Sequence, residues 1–345
     1  MNAPQVPVRH SQPIVIIAIE SSCDETSAAV SQDGRVLSNI IATQSVHEHY
    51  GGVVPELASR AHQQHIVPVV HQALREANIT KTMLSAVAYT QGPGLLGALL
   101  VGASFAKSLA WGLSVPLISV NHMRAHILAH FIDEPHPAFP FLCLTVSGGH
   151  TQLVCVDDYL TMKVIGQTQD DAVGEAFDKI AKLLGLPYPG GPHVDRWAQS
   201  GNPEAFTFPE TQMPDLDYSF SGIKTGFLNF LHRAKQREPD FVSHHLADIC
   251  ASIQRTLIDM LLHKLVLATE QTGIQQVAIA GGVSANTGLR AAIAALAQER
   301  GWTTYVPKFE YCTDNAAMIA TTAYYQYLAN EFSDLRVIPD PRLKI

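Results

Sequence analysis

The chain has few cysteines, little basic charge and no P-loop signature. Five cysteines stand apart at Cys23, Cys143, Cys155, Cys250 and Cys312, with no Cys-x-x-Cys pair. That scatter excludes a disulfide framework or a zinc ribbon and suits a reducing, cytoplasmic setting. Charged residues make up 16% of the chain, and 31 acidic residues outnumber 23 basic ones. A nucleic-acid binder usually carries a basic excess, so such a partner must be met by a local patch or a second subunit. Gly-x-x-x-x-Gly-Lys-[Ser/Thr] does not occur, which removes the P-loop reading, whereas the Gly-x-Gly-x-x-Gly spacing occurs once, at Gly92-Pro-Gly-Leu-Leu-Gly97. The first thirteen residues are polar and lack an apolar segment, so they read as a loose tail. From Met83 to Ala106 charge is absent altogether. Gly92-Pro93-Gly94 divides that run into a strand and a Gly/Ala-rich helix, each expected to be too short to span a bilayer, so no membrane is expected.

With 345 residues, 47% of them apolar, the chain can fill two cores. The run Ile14 to Ile19 reads as a strand buried on both faces, followed by the polar turn Glu20 to Thr26, a second strand and a third over 35–43. A helix from Pro55 to about Ala77, a strand (Ala86 to Thr90), a helix (Leu95 to Leu113) and a strand ending before His122 complete the half. The second half echoes this plan. Phe139 to Thr145 and Thr151 to Val156 form a hairpin, then come a long helix (His245 to Thr272), a strand (Gln276 to Ala280), a helix (Asn286 to Arg300), a strand (Thr303 to Val306) and a helix from Thr313. A shift of 125 residues lays Ile19 on Leu144 and Thr26 on Thr151. The expected division is a lobe over 14–121 and a second over 122–314, with an insertion of helices and loops at 157–240 and a helix at about 315–330 packing back on the first lobe.

The chemistry centres on Asn121-His-Met-Arg-Ala-His126. Two histidines four apart on a helix share one face and can bind one metal ion. His122 falls just beyond a strand's carboxyl end, where open α/β sheets hold their ligands. Asp314 follows the corresponding strand of the second half, so a pseudo-twofold axis would bring it opposite the histidines as an oxygen ligand. Read alone, Asp314 fits a helix N-cap equally well. Two His and one carboxylate leave coordination positions open, as a working metal needs.

Three strand-to-turn junctions suit a nucleotide. Thr145-Val-Ser-Gly-Gly149 and Ala280-Gly-Gly-Val-Ser-Ala-Asn286 offer unobstructed backbone N–H groups. Pro189-Gly-Gly-Pro192 opens a helix carrying Asp195, with Asp178 on the helix before it, and these carboxylates could accept from ribose hydroxyls.

Nine ordered motifs now meet in one resemblance. They are Ile19-Glu-Ser-Ser-Cys-Asp-Glu-Thr26, Pro55-Glu-Leu-Ala-Ser-Arg-Ala-His62, Gln91-Gly-Pro-Gly94, Asn121 to His126, Val146-Ser-Gly-Gly-His-Thr151, Tyr188-Pro-Gly-Gly-Pro192, Ser219-Phe-Ser-Gly-Ile-Lys-Thr225, Ala280 to Asn286 and Tyr311-Cys-Thr-Asp-Asn315. Together they resemble the bacterial tRNA threonylcarbamoyladenosine transferases, the TsaD family once labelled glycoproteases, over about residues 14 to 325. The resemblance implies an α/β, actin-like ATPase (ASKHA) fold of two duplicated lobes around a central cleft. It implies transfer of a threonylcarbamoyl group from threonylcarbamoyl-AMP to N6 of adenosine 37 in tRNAs reading ANN codons. It further implies one divalent metal per subunit, Fe2+ first with Zn2+ or Mg2+ as alternatives, and two partners: an inactive paralogue (TsaB-like) and a small ATPase (TsaE-like). By position, His122, His126 and Asp314 would bind the metal. Thr145, Val146, Ser147, Gly148, Gly149, Asp178, Gly191, Asp195 and Asn286 would hold the adenylate. Arg124-Ala125 departs from the acidic residue and glycine common inside the histidine pair, which touches metal tuning rather than ligation.

The reaction needs a base for the amine proton, and Asp24 and Glu25 at the first hairpin are the candidates. Their bland reading is a pair of turn carboxylates. A metalloprotease would carry His-Glu-x-x-His, whereas Met123 follows His122 here. A small-molecule kinase of the same fold would not need the His/His/Asp set, and a scaffold subunit would be expected to lack it.

Overall fold

The computed structural model describes residues 12–345, so the polar tail, as far as residue 11, lies outside the described residues. Strand β1 (Val15–Glu20) is buried along its whole length, as a strand covered on both faces must be. It pairs antiparallel with β2 (Glu25–Gln32), which carries β3 (Arg35–Thr43), and parallel with β4 (Ala86–Gly92), which carries β5 (Leu117–Asn121). Strand alternation sends Ile17 and Ile19 of β1 to one face, against α1 (Pro55–Glu76) and α2 (Leu96–Leu113). Ile16 and Ala18 go to the other face.

The second half repeats this sheet strand for strand. Its members are β6 (Phe141–Val146), β7 (Thr151–Asp158), β8 (Thr161–Gln167), β9 (Gln276–Ala280) and β10 (Thr303–Tyr305). The orders β3-β2-β1-β4-β5 and β8-β7-β6-β9-β10 coincide, with the same parallel and antiparallel joins. Two expectations need correction. The bounds of β1 and β6, and of β2 and β7, differ by 126 residues rather than 125. The segment 157–240 is not only helices and loops: it completes β7 and supplies β8, the counterpart of β3. Strand β8 has a single fully buried residue, so its apolar alternation is weak in the sequence.

The remaining helices are α3 (His122–Leu128), α4 (Val173–Leu184), α5 (Gly190–Ala198), α6 (Ser221–Arg237), α7 (Phe241–Thr272), α8 (Thr287–Arg300) and α9 (Ala316–Leu328). Helix α7 starts at Phe241, before the expected His245, but the backbone leaves helical geometry at His245 (φ -121, ψ 17). Regular helix therefore begins where the pattern put it. Helix α2 corrects the length argument: its 18 residues rise about 27 Å at ~1.5 Å each, so length and composition alone would let it cross a membrane. Its Ala103, Ala106 and Ala110 instead lie in the core with Ile17 and Ile19.

The helix that closes each half covers the other half's sheet. From α3 and the turn after it, Ile127, Leu128 and Phe131 pack with Phe141, Cys143 and Val154 of the second sheet. From α9, Ala316 to Ala320 and Ala323 pack with Ile16, Ala18 and Ala88 of the first. Helices α3 and α9 also touch each other, so their first turns meet between the sheets.

Candidate metal and adenylate site

Helix α3 begins where it does because Asn121 ends β5 and caps the turn, its side-chain oxygen accepting from Met123 N and Arg124 N (2.9 and 3.1 Å). His122 and His126 are then buried on one face, their Nε2 atoms 3.1 Å apart. Asp314 Oδ1 lies 3.1 Å from His126 Nε2 and 3.3 Å from His122 Nε2. Asp314 is not the N-cap of α9. Asn315 fills that position, accepting from Met318 N (3.0 Å), while Ser27 Oγ accepts from Ala316 N (2.9 Å) and pins the helix start to β2.

Glu20 is the member that sequence reasoning passed over. Fully buried at the end of β1, it accepts from Ser22 N and from Thr90 Oγ1 (both 2.5 Å), and its Oε2 lies 3.0 Å from His122 Nδ1. A donor proton on Nδ1 leaves the Nε2 lone pair facing Asp314. The available signal was an acidic residue closing an otherwise apolar strand. Burial alone would push His122 down, but the charges of Asp314 and Glu20 override it and raise its pKa well above the ordinary value. Burial would raise Asp314 too, and the charges of His122 and His126 hold it far below the carboxylate range. Buried lone pairs converging within 4.8 Å fit a divalent cation, a donor set of two imidazoles and one carboxylate. His150 stands close enough to feel both histidines. Burial first, then their charge, pulls it down to about 4.

Asp24 and Glu25 sit beside this cluster, on the hairpin between β1 and β2. Burial, then the charges of Asp314 and Asp24, push the Glu25 carboxyl up to about 9. His62 of α1, also overlooked, ties the hairpin down: Nε2 to Cys23 O at 2.9 Å and Nδ1 to Thr26 Oγ1 at 2.8 Å.

The nucleotide candidates gather in the second lobe. Thr145 and Val146 end β6, and Ser147 accepts at its carbonyl from Gly174 N (3.2 Å), at the start of α4. A side chain at Gly148 or Gly149 would meet nothing within 4 Å, and at Gly191 only Phe177 Cβ at 3.9 Å. Internal packing does not require those three glycines, and they leave open backbone. Gly281 differs: at φ +87, with Val146 O only 2.4 Å from its would-be Cβ, it is needed by the turn itself. Asp178 Oδ1 accepts from Gly190 N (2.7 Å) and Gly191 N (3.4 Å). Asp195 accepts from Thr287 N (3.0 Å), Thr287 Oγ1 (2.8 Å) and Gly288 N (3.4 Å). Asn286 caps α8 by accepting from Leu289 N (2.9 Å) and donates to Gln254 Oε1 (2.7 Å). Both carboxylates thus already serve helix N-termini. A cavity of about 520 Å³ is lined in part by Gln199, Gln254, Ile258 and Ala291 together with Thr287 and Gly288, the partners of Asp195.

Two duplicated α/β lobes meeting at such a site define an actin-like ATPase (ASKHA) fold. Full-length HypF in its phosphate- and nucleotide-bound form has this fold (TM-score 0.59, 14% identity, 95% of this chain and 48% of that one). HypF from T. kodakarensis is similar (TM-score 0.61, 16% identity, 95% and 49%). The sequence narrows the class further. The family described as TsaD: tRNA N6-adenosine threonylcarbamoyltransferase matches residues 35–321. The Cytophaga hutchinsonii protein of that name is 63% identical over 97% of this chain and 98% of its own length. The Christiangramia forsetii protein is 62% identical over 96% and 99%. The chain belongs to the tRNA N6-adenosine threonylcarbamoyltransferase family.

Proposed function

We propose that this chain transfers the threonylcarbamoyl group of threonylcarbamoyl-AMP to N6 of adenosine 37 in tRNAs reading ANN codons, in the cytoplasm. The observation that carries the reading is the cluster of His122, His126 and Asp314 beside the carboxyls of the first hairpin, in a chain whose relatives bear that activity as their name. A divalent ion held by the three ligands, Fe2+ before Zn2+ or Mg2+, would supply Lewis acidity toward the carbamoyl oxygen and offset phosphate charge.

The chain's own groups do the rest. The open turn from Thr145 to Gly149 takes the phosphate, and Asp178, Gly191, Asp195 and Asn286 hold the nucleoside. The adenine N6 forms a bond to the carbamoyl carbon while the carbon–oxygen bond to phosphate breaks and AMP leaves. Asp24 or Glu25 takes the amine proton. At about 9 the Glu25 carboxyl is protonated at neutral pH. A cation near Asp314 would offset the negative charge that helps keep the proton there.

An inactive paralogue and a small ATPase are the proposed partners. The face of α1 and α2 suits the paralogue: Val67, Leu96, Leu100 and Trp111 are exposed there, Trp111 at 77%. The test is nucleoside mass spectrometry on tRNA from cells depleted of this protein. Undiminished threonylcarbamoyladenosine would refute the assignment.

A further inference from the structure

Residues 333–345 run back across the first lobe and come to rest on α3. Ser333 N donates to Leu117 O (2.8 Å), and the Lys107 ammonium donates to Val337 O. Asp340 N donates to Gln91 O (2.9 Å), Gly94 N to Pro341 O (3.3 Å) and Asn121 Nδ2 to Lys344 O (2.9 Å). This path accounts for part of the Gln91-Gly-Pro-Gly94 motif. A Cβ at Gly92, at φ +156, would stand 1.8 Å from Asp340 O. The segment is therefore built into the fold.

It brings the backbone of Lys344 against Asn121, the residue that precedes the metal cluster. The side-chain amide of Asn121, the residue before His122, holds Arg124 N on its oxygen and Lys344 O on its nitrogen. Arg342 and Lys344 are exposed, and neither they nor Arg124 form an ion pair among the described residues. Asp340 accepts from Arg342 N (2.9 Å), and Asp334 is paired with Arg336 at 2.7 Å. Arg124 Nε is shielded from solvent and meets no acceptor. A buried donor without an acceptor is costly, and an arriving anion would satisfy it.

We propose that Arg124, Arg342 and Lys344 form the surface on which the phosphodiester backbone of tRNA lies as its adenosine reaches the cleft. RNA fits better than a small anion because the cations spread over α3 and the last turn of the chain. In a protein of net charge -8, such a local patch is what phosphate contacts require. The inference rests on the reaction proposed above.

The test compares the unaltered full chain, loaded with metal, with Arg342→Ser/Lys344→Ser and with that variant carrying Arg124→Gln. Readouts are tRNA affinity over a KCl series, KM for tRNA in the complete transfer assay, metal content and affinity for a stable adenylate analogue. Loss of two phosphate contacts should flatten the slope of log K against log salt by about 1.4, at about 0.7 per contact for a single strand. KM should rise several-fold with kcat at saturating tRNA and metal content unchanged. An unchanged slope and KM overturn the proposal, as does weakened analogue binding at unchanged tRNA affinity. If no chain forms modified nucleoside while the slopes still differ, the reaction has been misassigned and the RNA surface stands.

Discussion

Glu20 Oε2 lies 3.0 Å from His122 Nδ1, and this contact decides which nitrogen of that ring faces Asp314. His126 has no such partner, its Nδ1 being buried without a hydrogen bond. One ligand is oriented from behind, while the polar contacts of the other are all at its Nε2, to His122 and Asp314. Glu20→Gln keeps the shape but can donate to Nδ1, which would move the ring proton to Nε2 and take away the lone pair. Metal affinity should fall about 10–100-fold, the range for losing a carboxylate behind a ligating histidine. Titration with the metal, alongside a melting curve to confirm the fold, measures it; affinity equal to the unaltered chain would rule this orientation out.

His122→Ala/His126→Ala should remove nearly all bound metal, and Asp314→Ala most of it. Elemental analysis of purified protein reads the result directly. Full stoichiometry in the double histidine variant would mean that the ion binds elsewhere.

The Glu25 carboxyl binds its proton more tightly in the folded chain, about 9 against 4.5. Its contribution to stability is thus complete below pH 4.5 and is lost as pH rises toward 9 in the metal-free protein. Glu25→Gln cannot ionise, so its urea midpoint relative to the unaltered chain should climb between about pH 6 and pH 9. A constant difference across that range would contradict the shift.

Asp178 holds Gly190 N and Gly191 N while facing the proposed nucleoside site. Asp178→Ala should weaken binding of a stable adenylate analogue by ~1–3 kcal/mol, the range for a charge-assisted hydrogen bond. Calorimetry showing the same affinity would take Asp178 out of the site.

Added partners should raise turnover. With 31 acidic residues against 23 basic ones, this chain alone offers limited purchase on tRNA. Multiple-turnover rates with purified adenylate and tRNA should be higher once the paralogue and the ATPase are present. Equal rates would show that this chain suffices.

The sequence by itself determined the duplication and the chemistry available to it. Apolar runs such as Ile14 to Ile19 and Gln276 to Ala280 mark buried strands because a two-faced core tolerates little else. The spacing of His122 and His126 marks a shared helix face because 3.6 residues make one turn. Nine motifs in order gave the family. Edge strand β8 stayed hidden because half-buried positions blur alternation. Asp314 meets the histidines across 188 residues of chain, a pairing that the duplicated plan already suggested, and the rest was left to tertiary structure. It alone set Glu20 behind His122, clamped the hairpin with His62 and laid Lys344 on Asn121. The reason is physical: periodicity records which face of an element is buried, while contacts between distant elements depend on how α3 and α9 each cross to the other lobe's sheet.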